Sequence, residues 1–428
     1  MSMKKWFKGI GAATLLVGML TACGGNDTNE ATDTTPTPTP TETDVVIEEQ
    51  VEITLSGWGG NPEETALLAE TLAEFEAKYP HIKVKHDVIS DQYMDVMQTR
   101  LIGGEAADVF YLDAFEAPAL IEAGVLEPLD LYVTADFDID DFEKPMLEAF
   151  QAEGVTYGFP KDYSTLALFY NKTMLEAAGI EVPTTWEEFR EAAIALTQGT
   201  DVYGFGAAPE LARSYYIGES KGGKIVTDNQ ASFGDDRVIE ALQPIVDMRN
   251  IDKSAAQPSE VGSGWGGEMF GQGKAAMVIE GNWAIPFIEN NFSDIDFGTA
   301  EVPTIDGQQG TMAYTVAYVM NKASDKKDAS WKLIEFLTGK DGMEIWTSKG
   351  FALPTRVSVA EALGWDKDEK RAAIVAGAPY ATVWQQGTNL PIITQNFNNQ
   401  FLSAFIGQRP LDEALKEAEE IANREINR

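Results

Sequence analysis

Four tryptophans lie beside or near glycine residues, and this pattern has the clearest chemical meaning in the sequence. They are Trp58, Trp265, Trp283 and Trp384, out of nine tryptophans in the chain. A large ring on a bending, glycine-rich segment is poorly placed for a regular core and well placed for the wall of a cleft. Indole faces stack on the C–H faces of sugar rings, while nearby Asp, Asn and Gln side chains bind hydroxyl groups. The pattern therefore predicts a cleft for a carbohydrate.

The N-terminal segment is typical of an export signal. Three lysines precede an apolar run at residues 10–20, which is too short to span a bilayer as a permanent helix. The run leads into Cys23, the only cysteine, in a context that resembles the cleavage site of a bacterial lipoprotein. We therefore predict a lipoprotein signal peptide at residues 1–22 and lipid attachment at Cys23, which would anchor the protein to the cell membrane on its extracytoplasmic side.

The composition separates a tether from a folded body. Residues 23–50 are rich in Thr, Asp and Glu with a Pro-Thr repeat, and such a segment is predicted to be disordered. The net charge of −36 excludes a nucleic-acid partner, because phosphate binding needs basic patches. Residues 51–428 are more than one hydrophobic core usually supports, so two domains are expected.

The body alternates strand and helix patterns. Apolar residues recur at helical spacing from Leu68 to Tyr79, and the four tryptophans in helix-like contexts are expected to pack in cores. Those four are Trp186, Trp331, Trp346 and Trp365. Further patterns predict strands at 51–55, 82–84, 109–112 and 166–170, and a terminal helix over 411–421. This order predicts α/β layers with largely parallel sheets.

Several motifs follow one another along the body in the order of one known family. They are Asp108–Asp113, Gly124–Leu129, Tyr157–Tyr163, Leu168–Lys172, Pro183–Trp186, Gly273–Met277, Gly281–Trp283 and Tyr318–Lys322. Together they resemble the family 1 extracellular solute-binding proteins, the maltose-binding-protein-like receptors of ABC importers.

The resemblance implies an α/β fold of the two-lobed, type II periplasmic-binding-protein kind, with a ligand cleft between lobes joined by hinge segments. The chain would cross between the lobes near 162–166 and 313–317. The N-terminal lobe would hold 51–162 plus about 318–360, and the C-terminal lobe 163–317 plus about 361–428. Closure of the lobes on the ligand would be a hinge motion.

Eight residues are expected to bind the ligand. The resemblance points most strongly to Trp283 with Asn282, and it also implies a cleft residue after the first strand, where Trp58 lies. Asp113 ends the buried strand at 109–112, and strand ends are where open α/β sheets bind ligands. Tyr163 and Tyr314 lie at the expected crossings. Trp265 and Trp384 are included on the glycine pattern alone.

The function implied is capture of a carbohydrate, expected to be an oligosaccharide, and its delivery to an ABC permease. The receptor is expected to be a monomer without cofactor or catalysis. Two alternatives remain open. The same fold could bind a metal ion or a polyamine, since the pair Tyr215-Tyr216 resembles the tyrosinate pairs of ferric-ion receptors. A surface glycosidase could instead use the tryptophans as subsites and two carboxylates as acid and base.

Overall fold

The computed structural model describes residues 49–59, 62–90 and 92–428. The predicted signal peptide, Cys23 and the predicted tether up to residue 48 lie outside these described residues. In the part of the chain that the structure describes, no helix is long and apolar enough to cross a membrane.

Strands occur throughout the described body, and they are numbered along the chain. They are β1 (Val51–Trp58), β2 (Ile82–Ile89), β3 (Val109–Asp113), β4 (Gln151–Ala152), β5 (Val155–Thr156), β6 (Gly158–Thr165), β7 (Ala167–Asn171), β8 (Tyr203–Gly206), β9 (Val226–Thr227), β10 (Gln230–Ala231), β11 (Ala255–Ala256), β12 (Ala275–Glu280), β13 (Phe297–Ala300), β14 (Met312–Met320) and β15 (Thr382–Val383).

Helices connect and cover these strands, and they are numbered in the same way. They are α1 (Pro62–Lys78), α2 (Tyr93–Gly103), α3 (Ala117–Glu122), α4 (Lys144–Glu148), α5 (Lys172–Ala178), α6 (Trp186–Leu196), α7 (Leu211–Glu219), α8 (Asp236–Asn250), α9 (Gly266–Gly271), α10 (Ala284–Asn291), α11 (Lys327–Thr338), α12 (Lys340–Thr347), α13 (Val357–Leu363), α14 (Ala372–Gly377), α15 (Leu390–Phe405) and α16 (Leu411–Ile426). Short 3₁₀ turns lie at Ala135–Phe137, Ile139–Asp141, Pro258–Val261 and Ala378–Tyr380.

The first sheet has the strand order β15-β14-β3-β1-β2, and β6 also pairs with β14. β1 runs parallel to β2 and β3, whereas β14 runs antiparallel to β3 and β6. One hydrophobic core surrounds this sheet, and it contains Phe75 from α1, Phe110 from β3 and Trp331 from α11. The predicted helix over Leu68–Tyr79 is thus confirmed as α1, with Leu68, Leu72 and Phe75 buried.

The second sheet has the strand order β11-β8-β12-β7-β13. Both of its faces are covered, because Leu166 and Leu168 belong to one core while Ala167 and Phe169 belong to another. A strand buried on both faces needs apolar residues at every position, which explains the continuous apolar run recognised at 166–170. The terminal helix predicted over 411–421 is confirmed as α16.

Both sheets are mixed rather than largely parallel, which differs from the expectation. In the second sheet β7 runs antiparallel to β12 and to β13. In the first sheet β14 runs antiparallel to β3 and β6 but parallel to β15. β14 arrives from the second sheet and not through a helical crossover within its own sheet.

The strands β6 and β14 lie at the passage between the two sheets. They pair with each other along nearly their whole length, from Gly158 opposite Val319 to Thr165 opposite Ala313. β6 continues through Leu166 into β7 of the second sheet, so the segments 162–166 and 313–317 run side by side. The predicted residue boundaries of the two lobes stay a prediction.

Candidate functional site

A cavity of about 280 Å³ lies where the two sheets approach each other. Five of the eight predicted ligand-binding residues line it together: Trp58, Tyr163, Asn282, Trp283 and Tyr314. They come from the end of β1, from the paired strands β6 and β14, and from the turn between β12 and α10. Both sheets therefore contribute to a single cavity.

Trp283 is held in place by its own neighbours. Its indole ring lies against Gly281, where an added Cβ would come closer than 3.0 Å to the ring. The indole Nε1–H donates a hydrogen bond of 3.2 Å to the carboxylate of Glu280. The ring also makes an edge contact with Tyr314, with 5.6 Å between centroids. The glycine thus provides the space that lets the indole fold back over its own backbone.

Behind Trp283 lies a buried ion pair. Arg213 donates to Glu280 at 2.8 Å and also pairs with Glu210. Burial raises the pKa of Glu280, although Arg213 and Trp283 act in the opposite direction. Burial disfavours the charge of Arg213, but the two carboxylates outweigh it and keep its pKa raised. The orientation of the indole therefore depends on a carboxylate whose charge is balanced by Arg213.

Asn282 bridges the cavity wall to the segment after α12. Its backbone N–H donates to Ser164 Oγ, and its side-chain amide donates to the carbonyls of Gly350 and Phe351, each at 2.8 Å. Among the described residues its Oδ1 has no hydrogen-bond partner, although the atom is buried. Such an oxygen keeps an unused capacity to accept a hydrogen bond.

The remaining predicted residues of the cavity are fixed by the protein. Tyr314 donates from its hydroxyl to the carbonyl of Ala212 at 2.6 Å. Tyr163 is only 3% exposed, and burial raises its pKa. Trp58 makes edge contacts with Tyr93 and Tyr111, each with 5.2 Å between centroids. Contacts within the protein and burial therefore restrict the positions of these rings.

Trp346 lines the cavity and also packs against the core of the first sheet, so the predicted core contact is only part of its environment. It is half-buried on α12, and its Nε1–H donates to Asp162 at 2.9 Å. Lys161 forms an ion pair with Asp162, and its ammonium lies 4.3 Å from the centre of the Trp346 ring and 5.0 Å from that of Tyr111. The sequence did offer one signal for the charged pair, because Lys161 and Asp162 adjoin the expected crossing.

His86 is a further lining residue that sequence reasoning missed. Burial lowers its pKa, which favours the neutral ring. Its Nε2 is buried and has no hydrogen-bond partner among the described residues. No signal in the sequence distinguished it, since no glycine or tryptophan adjoins it along the chain.

Three predicted residues lie elsewhere. Trp265 lines a neighbouring cavity that shares Trp283. Trp384 is 8% exposed and stacks on Phe115 within the core of the second sheet. Asp113 accepts a hydrogen bond of 2.8 Å from the N–H of Phe115, and burial raises its pKa to about 6. Neither Trp384 nor Asp113 lines the cavity.

The arrangement suits recognition of a neutral polar molecule. Aromatic rings and hydrogen-bonding side chains line the same cavity, and among its charged groups, which also include Glu64, Lys161 and Asp162 are paired with each other. Within the described ranges there is no group of three or more His, Cys, Asp or Glu side chains that could hold a metal ion. The rings of Tyr215 and Tyr216 are buried in the core of the second sheet.

The family model for bacterial extracellular solute-binding proteins matches residues 59–344. The chain belongs to this family. The family predicted from the motifs is thus confirmed, and the matched residues include both β6 and β14 as well as Trp283.

Individual members of the family resemble this solute-binding protein along most of its body. A binding protein of Brucella abortus (strain 2308) is 28% identical over 370 residues, which cover 82% of this chain and 87% of the relative. The maltotriose-binding protein of Pyrococcus abyssi is 25% identical over 290 residues, covering 65% of this chain and 60% of the relative.

A solved structure of an ABC substrate-binding protein from Listeria monocytogenes, in complex with cycloalternan, has the same fold. It superposes with a TM-score of 0.79 at 24% identity and covers 89% of this chain and 100% of that chain. The predicted two-lobed α/β fold is therefore confirmed.

Proposed function

We propose that this solute-binding protein is the receptor of an ABC importer for a carbohydrate, which it binds in the cavity beside Trp283 and delivers to the membrane permease. The observation that carries the proposal is that the fixed indole of Trp283 lines one cavity with Asn282, whose Oδ1 has no hydrogen-bond partner among the described residues. An apolar face beside a hydrogen-bond acceptor matches a sugar ring, which has C–H faces and a hydroxyl rim. The sugar ligand named for the relative from Pyrococcus abyssi supports the same class.

The paired strands β6 and β14 support a hinge mechanism. Because ligand-binding groups come from both sheets, a closed arrangement would bring more of them onto the sugar than an open one. A ligand that makes better contacts in the closed state shifts the equilibrium toward closure. We infer that Trp283, Asn282, Trp58, Tyr163 and Tyr314 contact the sugar, which their shared cavity supports. The core position of Trp384 and the position of Asp113 outside the cavity do not support the binding role predicted for these two residues.

Calorimetric titration of the purified body with carbohydrates tests the proposal directly. The panel contains maltodextrins, galactosides, and xylo- and cello-oligosaccharides, with amino acids, polyamines and ferric citrate as comparison ligands. Micromolar binding of one sugar class, equivalent to about −8 kcal/mol, is the expected result. Binding confined to amino acids, polyamines or metal ions would exclude the carbohydrate assignment. Release of new reducing ends from the bound sugar by pure protein would instead favour the glycosidase.

Anchoring at the membrane is the second part of the proposal. The only cysteine follows an export signal in a lipoprotein-like context, so Cys23 is proposed as the lipidated residue that keeps the receptor near its permease. Replacement of Cys23 by Ala in the expressing bacterium should move the protein from the membrane fraction to the medium or periplasm. Retention of the Cys23→Ala protein in washed membranes would contradict the proposed lipid anchor at Cys23.

A further inference from the structure

The cavity beside Trp283 continues into two neighbouring cavities that share its walls. The second cavity, of about 400 Å³, shares Glu64, Trp283 and Phe351 with the first. The third, of about 420 Å³, shares Pro286, Asn290 and Phe351 with the second. Because each cavity borders the next, the three form one groove, which we call the outer groove where it extends beyond the first cavity.

The outer groove runs between two helices that belong to different sheets. α1 of the first sheet contributes Leu67 and Glu70, and α10 beside the second sheet contributes Pro286 and Asn290. Phe351 contributes to all three cavities. The groove therefore has the same two-sided construction as the cavity beside Trp283, and it is continuous with it.

A second indole is fixed at the outer groove by the same device that fixes Trp283. Trp265 lines the second cavity and lies against Gly267, where an added Cβ would come closer than 3.0 Å to the ring. On its other side it makes an edge contact with Phe287, with 4.8 Å between centroids. Trp265 is nevertheless only partly buried. It thus presents a rigid, accessible apolar face.

The polar groups of the outer groove favour a neutral ligand. The carboxylates of Glu70 and Glu289 are accompanied by the cationic groups of Lys349 and Arg371, and Glu289 is itself paired with Lys370 at 2.7 Å. Such a mixture of charges provides no strong field for an ion of either sign. The amide side chains of Asn290 and Asn291 suit hydroxyl groups instead.

We propose that the outer groove holds the outer sugar units of an oligosaccharide whose inner units bind beside Trp283, and that Trp265 is the stacking platform for those outer units. This inference rests on the proposed carbohydrate function and adds the length of the ligand. The first cavity, at about 280 Å³, is slightly smaller than the range of roughly 300–1,000 Å³ for ligand pockets, so a chain longer than about two units must extend into the groove.

Binding of length series tests this assignment. The probes are maltodextrins, cello-oligosaccharides and xylo-oligosaccharides of two to five units, titrated into the parent protein, Trp265→Ala and Trp283→Ala. We expect the affinity of the parent to rise from two units to four. Trp265→Ala should lower the affinity for three to five units by about tenfold or more and leave that for two units within about twofold, whereas Trp283→Ala should weaken every length.

A second pair of variants tests the position of the Trp265 indole without removing it. One variant displaces the ring, and the other is its matched control. Gly267→Ala adds a methyl group against the Trp265 ring, while Gly103→Ala adds one where nothing lies within 4 Å. Gly267→Ala should reproduce the length-dependent loss, and Gly103→Ala should bind like the parent. Two results would contradict the assignment of outer sugar units to the outer groove and leave the proposed function intact. One is equal affinity of the parent for all lengths, and the other is an effect of Trp265→Ala that is absent or independent of length. Failure of the parent to bind any sugar of the panel would overturn both the assignment and the proposed function.

Discussion

Replacement of Trp283 by alanine separates a ligand-binding tryptophan from a structural one. This indole is half-buried, and its contacts include the edge of Tyr314, the carboxylate of Glu280, the guanidinium of Arg213 and the backbone at Gly281. Loss of one stacking aromatic should cost about 2–4 kcal/mol of binding, as for other hot-spot aromatics. At tenfold per 1.4 kcal/mol, the affinity for the sugar should fall by a factor of about 30 to 1,000.

The same substitution should change stability much less. It removes one hydrogen bond to Glu280 and part of an apolar contact, so the free energy of unfolding should fall by about 1–2 kcal/mol. The matched control is Trp331→Ala. Trp331 is 7% exposed and packs on Phe137 and Phe159, so its removal should lower the free energy of unfolding by about 3–5 kcal/mol.

Calorimetry and urea denaturation measure the two effects on the same preparations. The expected pattern is loss of binding with retained stability for Trp283→Ala, and loss of stability with retained affinity of the folded fraction for Trp331→Ala. The reasoning would be refuted if Trp283→Ala unfolded the protein while Trp331→Ala left its stability unchanged. Parental affinity in a folded Trp283→Ala protein would place the sugar elsewhere.

Three further predictions follow from the same contacts. Gly281→Ala should displace the Trp283 ring and weaken sugar binding by about tenfold or more in a titration, while Gly103→Ala should not. Arg356→Ala should lower the free energy of unfolding, measured in urea, by about 3–5 kcal/mol, because this buried guanidinium donates to three backbone carbonyls and pairs with Asp141. Between about pH 4 and 6 the carboxyl of Asp113 stays protonated in the folded protein but loses its proton in the unfolded chain. The free energy of unfolding should therefore fall by up to about 3 kcal/mol as the pH rises through this range. Urea denaturation should show this fall in the parent protein and not in Asp113→Asn.

Periodicity alone predicted the elements whose burial is one-sided or complete. α1 and α16 carry apolar residues at helical spacing, and β7 is a continuous apolar run because both faces of its sheet are covered. The antiparallel course of β14 could not be predicted in this way. Its direction depends on where the chain returns from the second sheet, which is a long-range property that local pattern does not contain.

Cavity residues were predicted from the sequence where a local feature, such as a neighbouring glycine, marked them. Cavity residues without such a feature were missed. Trp346 lies on the amphipathic helix α12, and a helical residue that faces a cavity has the same spacing as one that faces a core. His86 lies on β2, opposite Leu55 of β1, and nothing in that strand pattern marks it as a cavity residue. Only tertiary placement distinguishes these positions from ordinary core residues.

The glycine pattern was informative for a reason that depends on exact spacing. The rings of Trp283 and Trp265 lie against glycines two residues away, Gly281 and Gly267, and in each case the missing Cβ makes room for the indole. Gly387, three residues after Trp384, lies against Asn229 instead, and the Trp384 ring packs in a core. A tryptophan two residues from a glycine can fold back onto its own backbone and keep one face free. Both the proposed sugar site and its extension along the outer groove depend on this local geometry.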